Sequence, residues 1–179
     1  MNHLAIALSL SLLSLPLHSQ EAKPDDSMKD CPMHAQHAAQ QAHHAIVESH
    51  GDQAMGFPHD KTTHHFRMMS DGGAIEVTAN DPNDKANIAA IRSHLSHVTM
   101  MFGDGDFSTP MFIHGGIPPG VTTMKLKKSV IHYSYDEIPS GAKIRIRSDD
   151  QIAVAAIHDF LRFQITEHQT GDALEAAEK

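Results

Sequence analysis

Four stretches of this chain alternate between apolar and polar residues, and two others carry apolar residues at helical spacing. Residues 62–69 place His64, Phe66 and Met68 on one face and His65, Arg67 and Met69 on the other, the period of a half-buried strand. Ser70-Asp71-Gly72-Gly73 reads as a turn. Residues 74–79 return with Ile75, Val77 and Ala79 against Glu76 and Thr78. Pairing Met69 with Ala74 sets Arg67 opposite Glu76, Phe66 opposite Val77 and His64 opposite Ala79. A loop at 80–84 leads into a helix whose stripe is Ile88, Ile91, Leu95, Val98 and Phe102. Residues 107–120 are rich in Gly and Pro and read as a loop; residues 121–126 read as a short strand. Residues 129–137 and 142–148 alternate again around a Pro-Ser-Gly turn. Asp149-Asp150 opens a last helix that buries Ala153, Ile157, Phe160, Leu161 and Gln164, with His168 on the same side near its end.

The halves repeat. Ile88-Ala-Ala-Ile91 with Leu95 matches Val154-Ala-Ala-Ile157 with Leu161, and His65-Phe66 matches His132-Tyr133. The fold class expected is α+β: a duplicated ββα unit, giving a four-stranded antiparallel sheet with two helices on one face. His94 and His97 stand where the second half has Phe160 and Phe163, as a site specialised in one repeat would.

The start of the chain carries a different pattern. Residues 4–15 form an apolar and serine run, broken by Pro16 and followed by His18-Ser19-Gln20, which reads as a signal peptide over 1–20. The run is too short to span a bilayer. The mature protein is therefore expected in the periplasm or secreted. Residues 21–55 are charged, then rich in Ala, Gln and His with little to bury, and read as a flexible His-rich metal-binding segment; residues 35–49 are able to form a helix. The folded domain is expected at 56–172, followed by a polar tail at 173–179.

Composition changes this picture in one respect. Sixteen of 179 residues are histidine, and ten are methionine. Net charge is −8, Trp is absent, and no basic cluster interleaves with aromatic residues, which excludes a nucleic-acid partner. Neutral imidazole is a common ligand for Cu, Zn and Fe. The stretch F-P-H-D-K-T-T-H-H-F at 57–66 supplies His59, His64 and His65; His94 and His97 flank the following helix, and His114 lies on the long loop. These six are the candidate domain ligands, with His64 turned to the helix side and His65 away from it. The plain alternative is a core His64 bonded to backbone and a solvated His65. In the N-terminal segment Cys31, Met33, His34, His37 and His44 are candidates, because thiolate, thioether and imidazole suit a soft ion. The lone thiol is equally able to cross-link two chains into a homodimer.

Cys31-Pro32-Met33-His34 resembles the C-P-M-H core of small heavy-metal-binding domains found with bacterial copper exporters. The stretches M-G-F-P-H-D-K-T-T-H-H-F-R, D-G-G-A-I-E-V-T-A-N-D, P-M-F-I-H and I-H-D-F-L-R-F-Q-I resemble a family of exported His-rich bacterial proteins of uncharacterised activity. Three functions follow as expectations. The first is an exported metal-binding protein for capture, delivery or resistance, with copper first and zinc or iron behind it, and a metal exporter or recipient cuproprotein as partner. The second is a metal-dependent enzyme with an open position for water or dioxygen. The third is a haem-binding module with His or Met axial ligands.

Overall fold

The computed structural model describes residues 32–176. The expected signal peptide, Cys31 and residues 177–179 lie outside them. Helix α1, Pro32–Met55, comes first; a single 3-10 turn, His59–Lys61, leads into β1, Thr62–Met69, and β2, Gly72–Ala79. Then follow α2, Lys85–Gly103; α3, Ser108–His114; α4, Val121–Leu126; β3, His132–Ile138; β4, Gly141–Arg147; and α5, Gln151–Glu167. The strands form one antiparallel sheet in the order β1-β2-β4-β3, with α2 and α5 packed on the same side. This is the α+β architecture of two ββα units, joined where β2 pairs with β4.

The helices are exchanged between units. Helix α2 packs mainly on β3 and β4, and α5 on β1 and β2. One device fixes both crossings. Arg92 on α2 donates to the carbonyls of Ile138 and Gly141, which flank the β3–β4 turn. His158 on α5 bonds through Nε2 to the carbonyls of Met69 and Gly72, which flank the β1–β2 turn. Each helix thus supplies the donor that the other unit's hairpin turn lacks. The helices start on aspartates: Asp84 accepts from the Asn87 N–H, and Asp150 accepts from those of Ile152 and Ala153.

Three expectations are corrected. The first hairpin pairs Met69 with Gly72, Phe66 with Ile75 and His64 with Val77, a shift of two residues from the expected register. Gly72 and Gly73 belong to the strand, because α5 comes so close that a Cβ on Gly73 would lie 2.2 Å from Leu161 Cδ1. A shift of two keeps every side chain on its face, so His64 still faces the helices. Residues 121–126 are helical: Val121 and Met124, three apart, are both fully buried, and β-branched composition had imitated a strand. The Gly- and Pro-rich loop also contains helix α3.

Residues 32–55, expected to be flexible, are one helix. Its upper part is exposed, but Val47 is 1 % exposed and the lower part packs against α3. A single buried valine and several imidazole–carboxylate contacts do the docking that an apolar stripe would do elsewhere, so periodicity gave no sign of it.

Candidate functional site

Four elements converge where the first hairpin meets the end of α5. Strand β1 brings His64 to the helix side; α2 brings His94; the residue after α5 is His168; and α1 closes the top with His44, Glu48 and Met55. The rings of His64 and His168 lie 6.1 Å apart between centroids and nearly parallel. His114, on the last turn of α3, meets His168 edge-on at 5.1 Å. Phe57 lies 6.4 Å from His64 and 5.7 Å from His94. Two imidazoles bound to one ion at a metal–nitrogen distance of about 2 Å have centroids within roughly 6.5 Å of each other. The His64–His168 spacing falls inside that limit.

The electrostatics are unusual for so many histidines. Burial pulls the His64 pKa down to about 4, helped by His94, His59 and His65. Burial first and His97 second pull His94 to about 4; burial, then His114 and His64, pull His168 to about 3. His114 is lowered too, chiefly by burial. At neutral pH these rings are uncharged and each keeps a lone pair. No hydrogen bond within the described residues occupies a ring nitrogen of His64, His94 or His168. The alternative in which His64 is a core histidine bonded to backbone therefore does not hold. His114 is different: its Nε2 lies 3.2 Å from Gln164 Oε1, while its buried Nδ1 has no hydrogen-bond partner and stands 3.6 Å from Glu167.

His64, His168 and Met55 separate two cavities. The outer one, about 220 Å³, is polar at its rim, where His59 Nδ1 bonds Asp52 at 2.9 Å and Glu48 Oε1 lies 3.2–3.3 Å from Nε2 of both His44 and His59. The second, about 70 Å³ and also open to solvent, is apolar and includes His94 and Gln164 in its wall. Helix α1 is tied down beside them by His43 to Glu167 at 2.6 Å and by His50 stacked on Phe112 at 4.9 Å.

Of the six candidates in the domain, the structure gathers His59, His64, His94 and His114 around this point. His65 and His97 are elsewhere. His65 faces the open side of the sheet, where Nδ1 bonds Asp172 at 2.9 Å; His97 is exposed on α2. In α1, His44 lines the outer cavity, while Met33, His34 and His37 are exposed. Sequence reading missed His168 as a site residue, although it placed that histidine on the buried side of α5. It also missed Glu48, Asp52 and Gln164, and Asp172, whose other oxygen accepts from the Phe66 N–H at 2.9 Å. Burial raises the Asp172 pKa, but the bonds from Phe66, Thr170 and His65 outweigh it and hold the carboxyl low. Gln169, with φ of +50°, turns the chain after α5 so that Asp172 reaches β1.

Among the described residues, no group of three or more His, Cys, Asp or Glu side chains is gathered so as to hold a metal ion. No helix among them is long and apolar enough to cross a membrane. The site is a cluster of neutral imidazoles beside a thioether, between one cavity with His44, Glu48 and His59 at its rim and a second lined mainly by apolar side chains. Comparison with family models, with curated proteins and with solved structures finds no match to the chain.

Proposed function

We propose that this is an exported metal-binding protein that holds cuprous copper at His64 and His168, with the Met55 thioether in reach, and serves in copper capture, delivery or resistance. The observation that carries this reading is the set of half-buried, uncharged imidazoles around one wall whose ring nitrogens have no hydrogen-bond partner among the described residues. A ring held neutral is ready to ligate without first losing a proton. Zinc is the weaker candidate, since a structural zinc site wants four His, Cys or carboxylate ligands. Two imidazoles and a thioether suit a soft ion of low coordination number. Haem is disfavoured by size, because small-molecule sites occupy about 300–1,000 Å³ and these cavities are smaller.

Export rests on the apolar run at 4–15. The cavity rim with His44, Glu48 and His59 would give an ion a way in to the pair, and Cys31, Met33, His34 and His37 would serve as collectors. A second reading, a metal-dependent enzyme, draws on His59. Its imidazole is bonded to Asp52 at the cavity rim, as a proton-transferring histidine would be.

A competition titration with a chromophoric Cu(I) chelator, on full-length protein without oxygen, tests the first reading. Replacing His64 and His168 together by Phe should weaken tight binding by at least about a hundredfold, more than the 10–100-fold typical of second-shell changes. Unchanged affinity would refute the assignment.

A further inference from the structure

Strand β1 lies at one edge of the sheet, and its outer side faces the segment that follows α5. In an antiparallel pair the N–H and C=O of a residue point to the same side, and the side alternates along the strand. The Phe66 N–H donates to Asp172 Oδ2, away from β2, so Met68 also turns its main chain outward. Met68 is 4 % exposed, yet no hydrogen bond among the described residues takes its N–H or its C=O. Both groups open on a cleft of about 230 Å³ that runs between residues 66–69 on one side and Asp172, Ala173 and Glu175 on the other. Main-chain groups of a buried residue need partners, and an open strand edge is a template for another chain.

Charge decides what kind of chain. On the open face of the sheet, the row through Arg67 also holds Arg145, and the next row holds Arg147 and His132; neither row has an acidic residue. Asp71 engages Arg145, while Arg67 and Arg147 are exposed and have no ion-pair partner among the described residues. A chain of net charge −8 thus keeps a basic strip beside its open edge. A second copy of β1 fits that edge poorly. Centred on this stretch, it would set Arg67 against Arg67, and like charges directly opposite destabilise a strand pair. A carboxylate fits, and the chain itself shows one: Asp172 accepts from the Phe66 N–H and lies 2.9 Å from His65 Nδ1.

We propose that this edge is a docking site for an extended acidic segment of another polypeptide, which adds to the sheet beside residues 66–69, bonds the main chain of Met68 and sets a carboxylate opposite Arg67. Added strands gain affinity from main-chain bonds and specificity from alternate side chains. The matching sequence alternates acidic residues, on the side of Arg67, with apolar ones, on the side of Phe66 and Met68. Copper plays no part in it.

The test titrates isotope-labelled, metal-free, full-length protein with a short acetylated peptide of alternating Glu and Val, and follows the amides by NMR. The Met68 amide proton should move to higher frequency and exchange more slowly with solvent as the peptide binds. Arg67→Glu should weaken the peptide about tenfold, and a peptide of alternating Lys and Val should bind that variant in preference to the native chain. Saturating peptide that leaves the Met68 amide unmoved overturns the site. Equal binding of the Glu and Lys peptides to the native chain overturns the charge assignment. A Met68 amide protected before any peptide is added overturns the docking site as well: protection that grows with protein concentration would give the edge to a second copy, and protection independent of concentration would give it to the chain's own C-terminal segment.

Discussion

Where the first hairpin meets α5, the structure holds imidazoles; where the second hairpin meets α2, it holds phenyl rings. The repeat makes the two places equivalent. The match of His65-Phe66 with His132-Tyr133 sets His64 against Ile131, and the match of Leu95 with Leu161, carried to the helix ends, sets His168 against Phe102. At the second place Ile131 is buried and Phe102, which also lines the 70 Å³ cavity, stacks on Phe107 at 4.5 Å. At the first place the rings leave two cavities. The same backbone solution therefore carries apolar side chains at one end and imidazoles at the other. The histidines are not what the fold requires, since the repeat sets apolar side chains at the equivalent positions.

The largest difference between the ends should appear on substitution. Phe107→Ala removes a fully buried ring and should cost about 3–5 kcal/mol in chemical denaturation. His168→Phe, which copies Phe102 into the open end, should leave stability equal or higher while ending tight Cu(I) binding. A comparable loss of stability in both variants would break the comparison.

Between about pH 6.5 and 4, acid should act mainly on the open end. His64, His94 and His168 have folded pKa values of about 4, 4 and 3, below the unfolded value of about 6.5. The unfolded chain takes up protons first as pH falls, so stability is full above about pH 6.5 and declines toward pH 4 and below. Thermal unfolding across this range should show that limb, and it should flatten in the variant with His64→Ile and His168→Phe.

The Asp172 clamp is next in size. It holds the segment after His168 against the edge strand that carries His64. Asp172→Ala removes bonds to a charged acceptor and should cost about 1.5–3 kcal/mol, with weaker Cu(I) binding. Asp172→Asn, which keeps an acceptor for the Phe66 N–H, should recover part of both. The smallest effect belongs to His97. Being exposed, it should change stability by less than about 0.5 kcal/mol when replaced by Ala, with metal affinity unchanged.

The strands, helices α2 and α5 and the repeat were legible because each has a strong period. The exchange of helices was not, since either helix stripe fits either hairpin; only Arg92 and His158, reaching across to the other unit's turn, reveal it. The site was half legible. His64 followed from alternation, and a register error of two residues did not disturb its face. His65 and His97 were drawn in by proximity in sequence, although opposite strand faces and an exposed helix flank remove them. His168 became a partner of His64 only because α5 lies over β1, a pairing that local pattern does not encode. Helix α1 hid its docking in Val47 and a few polar contacts, too sparse for any periodic signal.

The central claim is that the open end, rather than the histidines of the N-terminal segment, is where the ion sits. Cu(I) is diamagnetic, so the imidazole nitrogen resonances of full-length protein can be followed by NMR as one equivalent is added. The account predicts that the His64 and His168 nitrogens shift first, while those of His34, His37 and His97 stay in place. Shifts confined to His34 and His37, with His64 and His168 unmoved, would contradict it.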